Sequence, residues 1–248
     1  MIYIILGMHK SGTTLVSQML HHSGIDMGDF DVSKNYDDGN KYERTETKQI
    51  NMSILDCRDA HSLDTAAPVE TIPDESGIGD EIKKLVQPLD KKHGAWGFKD
   101  PRTCLTYRVW KKYLPAHKII FVYRHPLEVW HHYQKYISRY NIPKRMKDGW
   151  KTLSAWFIYN SLLINEMKNN NMEHIILDYN EFISAPDAIH PLEAFTGRKL
   201  VDCRKTELYR AGQKPAPMYN VIKTALGLIK KSDIDSLYDS LCLYRKNK

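Results

Sequence analysis

Two hydrophobic patterns alternate along this chain. Ile2 to Leu6 is a short, continuous apolar run rich in β-branched residues, as expected of a strand covered on both faces. From Gly12 the period changes: Leu15, Val16, Met19 and Leu20 fall at helical spacing, and Ser23-Gly24 supplies a stop. The opening therefore predicts strand, glycine loop, helix. Residues 26–47 are polar, with breaks at Gly28 and Gly39, and predict an irregular surface excursion before a helix around 48–56. Residues 64–79, with two prolines and two glycines, predict another loop, followed by a helix over 80–91. "AWGFKDPR" predicts a short strand ending at Asp100-Pro101, then a helix through Trp110 and Tyr113. "HKIIFVYRHP" predicts a strand over 118–123 broken at Arg124, and Pro126 suits the first turn of the next helix, where its missing N–H costs nothing. Leu153, Trp156, Phe157, Asn160, Leu163, Ile164 and Met167 trace one face of a long helix. "HIILDY" is a further strand. The rest reads as mostly helical, apart from a proline-broken loop at 211–220.

Strands alternating with helices, each separated by well over a dozen residues, predict an α/β fold. It is a three-layer sandwich in which a central parallel sheet is flanked by helices. No internal repeat or low-complexity segment divides the chain, so a single domain over 1–248 is expected.

Composition narrows this picture. A chain of 248 residues that is 42% hydrophobic can bury a substantial core. The 36 basic residues exceed the 30 acidic ones, giving +6 with no polybasic block. That describes a soluble surface with a basic tilt, compatible with a pocket for a polyanion. Cys57, Cys104, Cys203 and Cys242 are far apart and form no C-x-x-C pair, which suggests buried thiols in a reducing compartment. No apolar run reaches the roughly 18 to 20 residues of a bilayer span, and no leader is expected before the first strand. A cytoplasmic protein is expected, which makes the glycosylation sequon Asn51-Met52-Ser53 a chance match.

The candidate chemistry begins in "GMHKSGTTL", Gly7 to Leu15. A glycine turn between strand and helix directs several backbone N–H groups at one point, and the helix dipole adds partial positive charge there. Lys10 adds a full charge, and Ser11, Thr13 and Thr14 add hydroxyls. A phosphate or sulfate group is the natural guest. The usual ATP loop carries its lysine after the final glycine; here Lys10 precedes Gly12, so its side chain approaches from the loop. The inner strand "KIIFVY" ends in Arg124 and not in an acid that could support magnesium. A guanidinium there suits a phosphate oxygen.

"HKSGTTL" is similar to the P-K-S-G-T-T-[WL] loop of the sulfotransferases that use 3′-phosphoadenosine 5′-phosphosulfate (PAPS), with His9 in place of the usual proline. "YRHPLEVWHHY" resembles that family's second signature, and "LDYNEF" resembles a later segment of it. The resemblance implies a fold like that of P-loop nucleotide kinases. It also implies that the loop residues Lys10, Ser11, Gly12, Thr13 and Thr14 bind the 5′-phosphosulfate, that Arg124 binds the 3′-phosphate, and that Tyr179 lies near the adenine. A serine usually assists the arginine; His132 occupies that position here, and the basic loop carrying Arg210 and Lys214 is the alternative. "GFKDPR" resembles a lysine–aspartate–proline element of the tyrosylprotein and many bacterial members, whose lysine, here Lys99, faces the reacting group. Asp100 and Arg102 would then fix that turn by pairing with each other or with neighbours. Lys10 would stabilise the charge on the departing oxygen. Of the bases used in the family, a glutamate shortly after the loop matches Glu43 first and Glu46 second, with His61 or His93 as alternatives. The implied reaction moves a sulfuryl group from PAPS to the hydroxyl of a sugar, lipid or small metabolite and releases adenosine 3′,5′-bisphosphate (PAP) without a metal.

Two other classes compete. A P-loop nucleotide kinase or NTPase is disfavoured by the position of Lys10 and by Arg124. A non-catalytic nucleic-acid or anion binder fits the basic tilt, but the aromatics are not interleaved with lysines, so no nucleic-acid partner is expected. His21-His22 and His131-His132 are adjacent pairs that diverge on a helix, and no cysteine cluster offers a zinc site. The acceptor's identity and the oligomeric state are not encoded in any motif.

Overall fold

A computed structural model describes residues 1–28, 42–56, 68–73, 76–137, 141–169, 172–206 and 214–246. Gly39, Cys57, His61 and Arg210 lie outside the described residues. All four predicted strands are present: β1 (Ile2–Leu6), β2 (Trp96–Lys99), β3 (His117–Tyr123) and β4 (His174–Asp178). They form one parallel sheet in the order β2-β1-β3-β4. In register, Ile5 lies between Lys99 and Ile120, and Tyr123 pairs with Asp178.

The helices are α1 (Thr13–His22), α2 (Thr45–Ile54), α3 (Ile78–Lys92), α4 (Thr103–Lys111), α5 (Pro126–Ile137), α6 (Ile142–Asn169), α7 (Tyr179–Ser184), α8 (His190–Thr196), α9 (Pro217–Lys230) and α10 (Ile234–Lys246). Alternation along β1 sorts them into two layers. Ile2, Ile4 and Leu6 face a core shared with Trp110, Trp130, Trp156, Ile222 and Leu241, from α4, α5, α6, α9 and α10. Tyr3 and Ile5 face a second core with Leu15, Val16, Met19, Phe182 and Leu192, from α1, α7 and α8. A strand buried on both faces must be apolar throughout, which explains the unbroken run in "IYIIL". The result is the expected three-layer α/β sandwich.

Boundaries differ where tertiary contacts override local pattern. Helix α2 starts at Thr45, three residues before the expected start, because Arg44 is buried and the Thr47 hydroxyl donates to the Arg44 carbonyl at 2.8 Å. It stops short of Asp56, which is left-handed at φ 47°. Asn51, the sequon asparagine, is 0% exposed. Its amide nitrogen donates to Asp100 and Thr103, and its oxygen accepts from Thr106 and Trp110. In the folded chain it is a core residue, out of reach of glycosylation. Among the described residues no helix is long and apolar enough to cross a membrane.

Candidate active site

Carboxyl ends of adjacent parallel strands form a crevice where the winding direction reverses. Here the chain runs from β1 to β2 on one side, then to β3 on the other, so the reversal falls at β1. Its carboxyl end is the Gly7–Gly12 loop. Lys10 and Gly12 are both left-handed, at φ 67° and 93°. The Ser11 N–H closes the turn onto the Met8 carbonyl at 3.2 Å. The amides of Gly12, Thr13 and Thr14 have no backbone acceptor among the described residues, as the first turn of a helix requires. The Ser11 hydroxyl is fully buried and has no hydrogen-bond partner among the described residues. A buried donor left open in this way is costly unless a guest accepts from it. The loop thus fits an oxyanion.

Two glycines are fixed by their surroundings. A β-carbon on Gly7 would lie 2.5 Å from the Val122 carbonyl oxygen, and one on Gly12 would lie 1.9 Å from the Tyr179 ring. Beneath the loop the Gly7 N–H donates to the Cys104 thiol at 3.2 Å, and burial pushes that thiol's pKa well up. Cys104 is therefore a neutral packing partner and not a nucleophile.

Arg124 follows β3 directly. Its Nη1 donates to the Lys10 carbonyl at 3.3 Å, its Nε donates to Glu128 at 2.8 Å, and its guanidinium lies 4.7 Å from the centre of the Tyr179 ring. Asn180 donates to the other oxygen of Glu128 at 2.9 Å. Tyr179 opens α7, which Asp178 caps by accepting from the Asn180 N–H at 2.8 Å. Burial raises the Tyr179 phenol's pKa, partly offset by Arg124. Loop, arginine and tyrosine are therefore in mutual contact. His132 is half-buried on α5, one turn beyond Glu128.

On the other flank, Lys99 ends β2 and is 2% exposed. Its ammonium donates to Glu43 at 2.6 Å and to the Thr14 hydroxyl at 3.2 Å. Three segments meet there: the start of α1, the residues before α2, and the end of β2. Glu43 is held by its neighbours. The Tyr42 carbonyl accepts from Ser17 at 3.1 Å, and buried Arg44 donates to Asp26 at 2.8 Å while lying 5.7 Å from the Trp96 ring centre. The Asp100-Pro101-Arg102 turn closes on itself, with Arg102 donating through its backbone N–H (3.0 Å) and Nε (3.2 Å) to the two Asp100 oxygens. Glu46 is exposed on the first turn of α2. His93 lies 3.3 Å from Asp26, before the amino end of β2 and away from Lys99. Lys214 is exposed, and its carbonyl accepts from His131 Nε2 at 3.2 Å.

Sequence reasoning missed Arg44, Asn51 and Glu128. The spacing of four between Arg124 and Glu128 offered a signal for the last. Nothing local marked the other two.

A glycine loop at the reversal point of a parallel sheet, flanked by a buried lysine–glutamate pair and an arginine, gives an α/β protein with the P-loop-like fold. A family model described as "Sulfotransferase family" matches residues 3–198, and the chain belongs to that family. Among solved structures it is similar to the sulfotransferase domain of the Synechococcus PCC 7002 olefin synthase. The identity there is 15% and the TM-score 0.50, covering 97% of this chain and 94% of that one. It is also similar to sulfotransferase STF9 from Mycobacterium avium, at 13% identity and TM-score 0.50, over 99% of this chain and 76% of that one. At such identities the likeness concerns the fold. No curated protein matches the chain in sequence.

Proposed function

We propose that the protein is a PAPS-dependent sulfotransferase acting on an acceptor hydroxyl of a sugar, lipid or other small metabolite. The observation that carries this reading is the junction of Thr14, Lys99 and Glu43, beside a loop whose lysine precedes its second glycine. Family membership supplies the reaction class.

When bound, PAPS supplies a sulfuryl group on a phosphate leaving group. The amides of Gly12, Thr13 and Thr14 and the Ser11 hydroxyl hold the 5′ end. Arg124, kept in place by Glu128, meets the 3′-phosphate, and Tyr179 forms the wall on which the base rests. His132 is read as an assistant at the 3′-phosphate. Lys10 neutralises charge that grows on the departing oxygen, a contact stronger in the transition state than in the ground state. Glu43 takes the acceptor's proton as its oxygen bonds to sulfur. Lys99 orients Glu43 and adds positive charge beside the transferred group. None of these roles calls for a divalent cation. The whole chain, 1–248, is read as one domain working in the cytoplasm.

The test is a pair of measurements on the purified protein. PAP should protect it against thermal unfolding in the presence of EDTA, and radiolabelled sulfate should move from PAPS to hydroxyl acceptors under the same conditions. Protection by Mg·ATP with none by PAP would assign the loop to a kinase or NTPase instead.

A further inference from the structure

Glu43 and Lys99 are 56 residues apart in sequence, and their separation of 2.6 Å depends on how the segment entering α2 is docked against the end of β2. The Glu43 carboxylate stands two residues before α2, and Lys99 stands one residue before Asp100. A tie between the body of α2 and the Asp100 turn therefore sets the meeting of the pair. Asn51 provides that tie. It lies on the inner face of α2 and is 0% exposed. Its Nδ2 donates at 3.1 Å to Asp100 Oδ2 and lies 2.9 Å from Thr103 Oγ1; its Oδ1 accepts from Thr106 Oγ1 at 2.6 Å and from Trp110 Nε1 at 2.7 Å. An asparagine can donate two hydrogen bonds and accept two, and here all four are made, to the turn after Lys99 and to two successive turns of α4.

We propose that Asn51 is a positioning residue for sulfuryl transfer: it fixes the α2 segment against the Asp100–Thr103 turn and so holds Glu43 in register with Lys99. This rests on the reading of Glu43 and Lys99 given above. The tie bears directly on the acceptor flank. The loop and Arg124 have contacts of their own, to Met8, Cys104, Glu128 and Tyr179, so donor binding is expected to change little. The surroundings explain why an amide is used. Asp100 is fully buried, and burial pushes its carboxyl up against the pull of Arg102 and Asn51. A neutral donor secures the carboxylate without placing a second buried charge beside Arg102.

The experiment compares three variants of the full chain with the wild type, each first checked by thermal melting. Asn51→Leu removes all four bonds. Asn51→Asp keeps the acceptor for Thr106 and Trp110 and replaces the amide donor to Asp100 and Thr103 with a second buried carboxyl. It therefore decides the matter if Asn51→Leu does not fold. Thr106→Val removes one bond on the α4 side and leaves the Asp100 tie intact. For Asn51→Asp we expect kcat to fall about 10- to 100-fold, with the KM for PAPS and the protection by PAP within about 2-fold of wild type. Thr106→Val should keep kcat within about 2-fold. A folded Asn51→Asp variant with wild-type kcat at pH 8 overturns the proposal, as does a loss shared equally by kcat and PAP protection. A wild-type protein that neither transfers sulfate nor responds to PAP would refute the underlying functional reading, a separate and distinguishable outcome.

Discussion

The two flanks of the site are built differently. On the β1–β3 flank the functional groups come from short, contiguous segments: Gly7 to Thr14, Arg124 to Glu128, and Asp178 to Asn180. Each is a strand end followed directly by a helix start, so local backbone geometry does most of the placing. On the β2 flank the pair that matters joins residues 43 and 99, and its support comes from Ser17 on α1, Asp26 in the loop that follows α1, Asn51 on α2 and the Asp100 turn beside Lys99. The first flank can be read as a motif. The second exists only after the layers have packed. Lesions on the two sides should accordingly separate, with the first altering donor binding and the second altering turnover.

The largest effect is expected at Lys10, the exception to that division, which lies on the first flank and is read as acting on the departing oxygen. Lys10→Ala should abolish sulfate transfer, a loss of at least about 10³-fold in kcat. PAP should still protect the protein measurably, because Arg124 and the loop amides remain. Glu43→Gln keeps the size of the side chain and removes the base. It should slow turnover by about 10²-fold or more without weakening PAP protection, and near-normal turnover would remove Glu43 from the role. Glu128→Gln tests the opposite flank. Without its carboxylate partner Arg124 is less well held, so the KM for PAPS should rise about 10-fold while kcat changes little; an unchanged KM would mean that Tyr179 and the Lys10 carbonyl suffice to place the guanidinium.

The smallest effect concerns stability and its pH dependence. Partial burial raises the Asp26 carboxyl, but the hydrogen bonds from Arg44 and the Gly28 N–H and the charges of Arg44 and His93 together outweigh it, and the net pKa is lowered below the ordinary 3.8. A depressed carboxyl stabilises the fold above its unfolded value, and that contribution is lost as pH falls through the folded one. Asp26→Asn should therefore cost about 1 kcal/mol at pH 7, with the gap closing below about pH 4. A cost that stays constant down to pH 3 would locate the effect in packing and not in charge.

Much of the fold was legible because burial on both faces leaves a plain signature. "IYIIL", "HKIIFVY" and "HIILD" carry apolar runs too short for helices, ending at Gly7, Arg124 and Asp178 where the chain turns into the crevice. The long amphipathic face from Leu153 to Met167 was equally clear, and all of its residues but Phe157 and Asn160 belong to the buried hydrophobic core. Asn160 shows the limit of such patterns: it is 0% exposed yet polar, and its amide returns to the Trp156 carbonyl at 2.7 Å. Arg44 and Asn51 were invisible for a related reason. Their types are common at surfaces, and only the partners that arrive from elsewhere make burial affordable. The sequon at Asn51 was read as a chance match, and the four hydrogen bonds of its asparagine place it inside.

By itself, then, the sequence determined the strand–loop–helix units and the glycine turn that opens the first helix, because period and glycine placement are local properties of the backbone. It did not determine that residue 43 meets residue 99. That was decided by the register that sets Ile5 beside Lys99, and by α2 docking onto the turn after β2. A contact between distant segments has no local signature, since the chain between them can close in many ways until the packed layers leave only one.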